Sequence, residues 1–136
     1  MKVDNPNFAG ARFHHLGVAC KDIDEALGYL RHLLPAQFEE SDTIHDSALK
    51  ADLKLISAGH NLFFELVAGP AVSAFLQPNV TYHHTCFLVD DIAKFARAMP
   101  RPFVPVTSRI PVILFEGHHV QFFQSSLGLV ELLESE

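Results

Sequence analysis

One short stretch is written twice in this chain, and that repetition limits the folds open to it. Phe13-His14-His15-Leu16-Gly17-Val18-Ala19-Cys20-Lys21-Asp22-Ile23 is answered by Tyr82-His83-His84-Thr85-Cys86-Phe87-Leu88-Val89-Asp90-Asp91-Ile92, and the His-His and Asp-Ile pairs recur at one offset of 69 residues. A match that needs no gap points to a duplicated structural unit. The chain has 136 residues, enough for one domain with its own core and too few for two independent ones. The copies are therefore expected to share a single domain, 1–136, with repeat one at about 11–69 and repeat two at about 81–134.

Each copy is followed by an apolar run with a glutamate at its centre: Leu62-Phe63-Phe64-Glu65-Leu66-Val67 and Leu129-Val130-Glu131-Leu132-Leu133. A carboxylate inside such a run is costly unless its charge is compensated, because an unpaired buried carboxylate takes up a proton instead of staying ionised. Strand alternation puts His15, Gly17 and Ala19 on one face, small and open, and His14, Leu16 and Val18 on the other, bulky face. The same reading sets His84 and Cys86 against His83, Thr85, Phe87 and Val89. His15 and His84 are thus the expected cavity residues, and two imidazoles with two carboxylates suggest a metal ion as the compensating charge.

The remaining expectations are coarser. Asp22 caps a helix through Ile23, Ala26, Leu27, Leu30, Leu33 and Leu34 that Pro35 ends. Asp90 or Asp91 caps a second through Ile92, Phe95, Ala96 and Met99, ended by Pro100. Strands are expected at about 36–43 and 49–57, with a polar turn from Asp42 to Ser47 between them, and then in the run around Glu65. Residues 71–76 read as a helical turn, residues 1–10 as a loose tail, and 111–115, 118–124 and 128–134 as the closing strands. Each repeat reads strand, helix, then three strands. His14 and His83 are expected behind the site or at the surface, and His118 and His119 in a hairpin. The charge at Glu39-Glu40 and Glu134-Ser135-Glu136 is expected to be solvated.

Composition is that of a globular protein, 49% hydrophobic and 19% charged, which argues against disorder. A formal charge of −6 without a basic run gives no nucleic-acid surface. No apolar stretch approaches a membrane span, and the start of the chain lacks the apolar core of a signal peptide. Cys20 and Cys86 read as reduced core thiols of a cytoplasmic protein.

Taken together, the chain resembles the vicinal oxygen chelate superfamily, the glyoxalase and bleomycin-resistance fold. Within it the likeness is to methylmalonyl-CoA epimerase-like proteins. The residues that carry it are His15-Leu16-Gly17-Val18-Ala19; Phe64-Glu65-Leu66-Val67-Ala68-Gly69-Pro70 with Ala74-Phe75-Leu76; His83-His84 leading to Val89-Asp90-Asp91-Ile92; and Gly128-Leu129-Val130-Glu131-Leu132. The resemblance implies an α+β fold in which two βαβββ repeats form an open eight-stranded mixed barrel. It places the family's four metal-ligand positions on His15, Glu65, His84 and Glu131. It also implies a homodimer acting on a small-molecule substrate.

Such a mixed nitrogen and oxygen donor set suits Mn, Fe, Co, Ni or Zn without selecting one. A divalent ion there would act as a Lewis acid on a carbonyl oxygen while a base removes the neighbouring proton. The expected activity is that of an isomerase or lyase, epimerase-like, on an acyl-CoA or small oxoacid. Glu131 or Glu65 is the candidate base. Epimerase relatives use a further carboxylate on a strand corresponding to about 50–56, where this chain offers only Asp52 and Lys54. The alternatives are glyoxalase I-like lyase chemistry on a glutathione hemithioacetal and a metal-free protein that sequesters a metabolite or antibiotic. An extradiol dioxygenase fits less well, since that class leaves the Glu65 position without a ligand. No spacing singles out Arg12, Lys21, Arg97, Arg101 or Arg109 as a coenzyme A contact.

Overall fold

The two copies of the repeated stretch become the two central strands of the molecule. The computed structural model describes residues 11–34, 38–59, 62–76 and 80–135; the expected tail at 1–10, Pro35 and the start of the 36–43 strand lie outside them. Strands β1 (Arg12–Ala19) and β6 (Tyr82–Val89) pair antiparallel, and each has a parallel neighbour on its far side: β5 (Phe63–Ala68) beside β1, β10 (Gly128–Glu134) beside β6. Outside these lie β4 (Ala51–Ser57) and β9 (His119–Ser125), both antiparallel to their neighbours. The path is completed at its edges by β2 (Glu39–Glu40) and β7 (Val104–Pro105), giving the order β2-β4-β5-β1-β6-β10-β9-β7. Short strands β3 (Ile44–Asp46) and β8 (Ile110–Pro111) lie off that path, on β4 and β9. The result is the expected mixed sheet, eight strands along its path and not closed.

Helix α1 (Ile23–Leu33) starts where Asp22 accepts a hydrogen bond from the Glu25 N–H at 2.8 Å. Helix α2 (Ile92–Ala98) starts where Asp91, not Asp90, accepts from Lys94 N–H at 2.9 Å. Each helix covers the outer face of its half of the sheet. Ile23 and Leu27 pack on Ile56, Leu66 and Ala68, and Ile92 packs with Val89, Phe103, Phe123, Val130 and Leu132. The third apolar cluster, including Ala19, Leu53, Val67, Cys86, Val120, Phe122 and Leu133, lies inside the curved sheet. Strand alternation sorts β5 in the same way, with Phe64, Leu66 and Ala68 toward α1, and Glu65 and Val67 inward.

Three expectations are corrected. The polar turn from Asp42 to Ser47 is partly strand, because Ile44, His45 and Asp46 pair with Leu53, Asp52 and Ala51, and the turn follows at 47–50. No strand runs through 111–115: Pro111 offers no N–H to extend a ladder, and Ile113–Phe115 forms a short 3-10 turn closed by Glu116 in the left-handed region. Glu134 is buried, accepting from Ile92 N–H at 3.0 Å and pairing with Arg109, so it is not solvated.

The central ladder carries two irregularities. Phe13 pairs with Phe87 and His15 with Cys86, so His14 is left opposite nothing; Gly17 pairs with His84 and Val18 with Tyr82, so His83 is the extra residue on the other strand. Each repeat therefore holds a β-bulge at the first histidine of its doublet, the kind of insertion that re-aims side chains.

Candidate metal centre

The parallel pairings place both glutamates beside the central strands in the same register. Gly17 lies opposite Glu65 and Cys86 opposite Glu131, and Gly17 and Cys86 occupy equivalent positions in the repeated stretch. The antiparallel pairing of β1 with β6 then carries His15 and His84 toward each other across the ladder. All four residues sequence reasoning singled out meet at one point: one donor atom from each lies within 4.8 Å of those of the other three. The Nε2 atoms of His15 and His84 are 3.0 Å apart. His15 Nε2 is 3.6 Å from Glu65 and 3.4 Å from Glu131, and His84 Nε2 is 3.6 Å and 4.0 Å from the same two carboxyl groups.

The cluster is dry. His15, Glu65, His84 and Glu131 are 0, 3, 1 and 1% exposed. Burial, the largest effect throughout, pushes the Glu65 carboxyl well above its ordinary range with Glu131 adding to it, and raises Glu131 too, although the Cys86 thiol beside it works the other way. Burial holds His84 down to about 3 and His83 to about 4, and takes His15 well below the usual imidazole value with His84 and His14 contributing. Each donor left to itself prefers its neutral form. Among the described residues Glu131 Oε1 is a buried polar atom without a hydrogen-bond partner. Converging nitrogen and oxygen donors with an orphaned oxygen fit a divalent cation, which would hold two carboxylates ionised and two imidazoles neutral at once.

Close packing keeps the donors in place. Gly17 has no room for a side chain: a Cβ there would lie 2.1 Å from His84 Cε1 and 2.2 Å from its Nδ1. Phe115 stacks against His15 at 5.6 Å between ring centroids, and Phe122 meets His84 edge-on at 5.3 Å.

A cavity of about 160 Å³ opens on one side of the cluster. Glu65 and His84 reach it, with His83 and Thr107 as the other polar residues of a wall built from Leu49, Ala51, Leu53, Val67, Val106, Phe122 and Leu129. Phe122 lines it, whereas Phe63 stacks on His14. Neither Asp52 nor Lys54 faces it. Leu55 lies opposite Glu65 and Leu53 opposite Val67, so the intervening side chains point outward. Lys54 donates to Ser41 O at 2.6 Å, and Asp52 meets His45 at 2.7 Å. Strand β4 therefore brings no base to the site. His118 is held elsewhere, with its Nδ1 3.1 Å from Glu134 O. Of the candidate phosphate contacts, Arg109 is engaged with Glu134.

His14 and His83 sit behind the two histidines of the cluster, one of the two places expected for them. They are not turned away: His14 Nδ1 is 2.7 Å from His15 Nδ1, and His83 Nδ1 is 2.8 Å from His84 Nδ1. The direct contact itself was not legible, because strict alternation assigns adjacent residues to opposite faces and the bulges break that rule. Cys86 was read as plain core. It is fully buried beside Glu131, a place that the register of β6 and β10 fixes. Both cysteines are free thiols.

Comparison with known proteins agrees with this architecture. Residues 9–122 match the family model described as Glyoxalase/Bleomycin resistance protein/Dioxygenase superfamily. No curated protein matches the chain. Among solved structures, methylmalonyl-CoA epimerase from Mycobacterium tuberculosis is similar at a TM-score of 0.76 and 16% identity, covering 91% of this chain and 87% of its own. A Streptomyces coelicolor methylmalonyl-CoA epimerase variant, in complex with 2-nitronate-propionyl-CoA, gives 0.73 and 21%, with 93% and 96% covered. A hypothetical protein from Bacillus halodurans C-125 gives 0.74 and 16%, with 93% and 95% covered. At these identities the structural likeness shows the fold, while the family match spans most of the sequence: this chain belongs to the glyoxalase/bleomycin resistance protein/dioxygenase superfamily.

Proposed function

We propose that the protein is a divalent-metal-dependent enzyme that removes a proton from the carbon next to a carbonyl, as an epimerase or isomerase does, on a small acyl or oxoacid substrate. The observation that carries this reading is the convergence of His15, Glu65, His84 and Glu131 at the wall of an apolar cavity. A cation held by these four would supply Lewis acidity toward a carbonyl oxygen as negative charge develops there.

The chain's own residues do the rest. Glu65 reaches the cavity and Glu131 does not, so Glu65 is the residue in reach of a substrate proton. A base must be ionised to accept one. Burial alone keeps Glu65 protonated, and a divalent charge beside it favours the ionised form. The aliphatic and aromatic walls keep water from competing for the proton. The volume admits a short acyl group of a few heavy atoms, and among the described residues no lysine or arginine lines it. A coenzyme A or other large carrier would therefore stay outside while the reacting end enters. Dimerisation belongs to the same reading and is measured by light scattering.

Deuterium exchange from solvent into the α-carbon of methylmalonyl-CoA and of short 2-oxoacids, over a panel of divalent ions, tests the proposal. Exchange that requires the ion supports it; no exchange with any ion rejects it. Turnover of a glutathione hemithioacetal instead would move the chemistry to a glyoxalase I-like lyase.

A further inference from the structure

Each repeat spends two adjacent histidines, of which the proposed function uses one. The spare residue is held the same way both times. His14 and His83 are the unpaired residues of the two β-bulges in the central ladder, so an insertion in each strand turns the side chain back toward its neighbour. The rings of His14 and His15 have centroids 5.0 Å apart at 79°, and those of His83 and His84 5.0 Å apart at 80°. The contact is Nδ1 to Nδ1 in both doublets, at 2.7 and 2.8 Å. Aromatic packing fixes the spare rings: His14 stacks on Phe63 and meets Phe115 edge-on, and His83 meets Phe75 edge-on.

A hydrogen bond between two Nδ1 atoms needs one proton, carried by one ring and accepted by the other. If the outer ring carries it, the inner neutral imidazole is protonated at Nε2, the atom aimed at the other donors, and cannot ligate. If the inner ring carries it, Nε2 is a bare lone pair pointing at the cluster. Ligating histidines characteristically donate their second N–H to a fixed acceptor, which sets tautomer and ring orientation. Carboxylates or backbone carbonyls usually play that part, and here, among the described residues, the acceptor at each Nδ1 is an imidazole.

We propose that His14 and His83 are positioning residues of the metal centre, each accepting the Nδ1–H of the following histidine so that the Nε2 atoms of His15 and His84 both face the cation. This rests on the metal-binding reading above. It gives the repeated doublet a single meaning, one residue to ligate and one to hold the ligand's tautomer. The outer rings then carry their own proton at Nε2.

Zinc competition titrations against a chelator, with nitrogen NMR of the zinc-loaded protein, test it. Asparagine places Oδ1 where histidine has Nδ1 and keeps an acceptor, whereas leucine removes it. His14→Leu and His83→Leu are expected to weaken zinc binding about 10–100-fold, and His14→Asn and His83→Asn to recover most of the loss. In the unaltered zinc-loaded chain, His14 and His83 should be neutral and protonated at Nε2. Leucine variants that bind as the unaltered chain does, asparagine variants no better than leucine, or a proton on Nδ1 of His14 and His83 would each overturn the proposal. Should a leucine variant fail to fold, the NMR of the unaltered chain decides alone. A chain that binds no zinc or other divalent ion at all sinks the metal-binding reading itself, and this inference with it.

Discussion

His15 and His84 bring their Nε2 atoms to 3.0 Å of each other from strands that belong to different copies of the repeat. With Glu65 and Glu131 within 4.0 Å of these nitrogens, the stability of the fold becomes sensitive to pH and to metal together. Burial raises the two carboxyl groups and lowers the two imidazoles. From about pH 7.5 upward the imidazoles are essentially neutral both folded and unfolded and contribute almost no slope. The carboxyl groups do: their protonated, folded form contributes stability that is complete below the unfolded value of 4.5 and is lost as pH rises through the raised folded values. Metal-free protein should therefore lose thermal stability from about pH 7.5 upward. A bound divalent ion removes that loss, so the melting-temperature gap between loaded and metal-free protein should widen with pH. Thermal melts of both forms across this range check it, and a gap independent of pH would count against the site.

Gly17→Ala places a methyl group against the His84 ring, where the space is 2.1 Å to Cε1. Either the ring or the strand must move. We expect about 1–3 kcal/mol of destabilisation and a larger effect on metal affinity than on secondary structure, read by chemical denaturation beside a metal titration. Affinity equal to that of the unaltered chain would show that His84 is not held by this contact.

The glutamates should part company on substitution. Glu65→Gln, at the cavity wall, should cut α-proton exchange by about 10²–10⁴-fold. Glu131→Gln lies away from the cavity and should act mainly through weaker metal binding, with exchange restored at high metal concentration. Exchange rates measured at saturating and limiting metal separate the two, and the reverse pattern would reassign the base to Glu131.

Asp46 offers a test of architecture that leaves the four donors themselves unaltered. Its carboxylate, 1% exposed, accepts from Ala48 N–H at 3.0 Å, Leu49 N–H at 3.1 Å and Ile113 N–H at 3.3 Å, tying the β3–β4 hairpin to the 3-10 turn of the second repeat. Asp46→Ala strands these donors and should cost about 2–3 kcal/mol by denaturant unfolding. No donor of the site is touched.

The sequence showed the repeat, the two capped helices, the inward faces of β1 and β6, and the four residues that converge, because each rests on local pattern: alternation, helical spacing, and a charge inside an apolar run. It did not show the bulges, since an inserted residue leaves the hydrophobic pattern almost unchanged, so His14 and His83 were expected behind the site without the contact each makes to the next ring. Asp52 and Lys54 could not be resolved before the ladder with β5 set Leu55 opposite Glu65. Glu134 looked solvated because its partners, Arg109 and the start of α2, are distant in sequence. The loss of the 111–115 strand follows Pro111 and the left-handed turn at Glu116, where chain geometry outweighed a run of apolar residues.

The seam between β1 and β6 divides the four donors evenly, one imidazole and one carboxyl group to each side. A newly made first module, emerging from the ribosome alone, could offer an ion only half a cage. Tight capture must wait until its twin has docked, and loading would then report completed assembly.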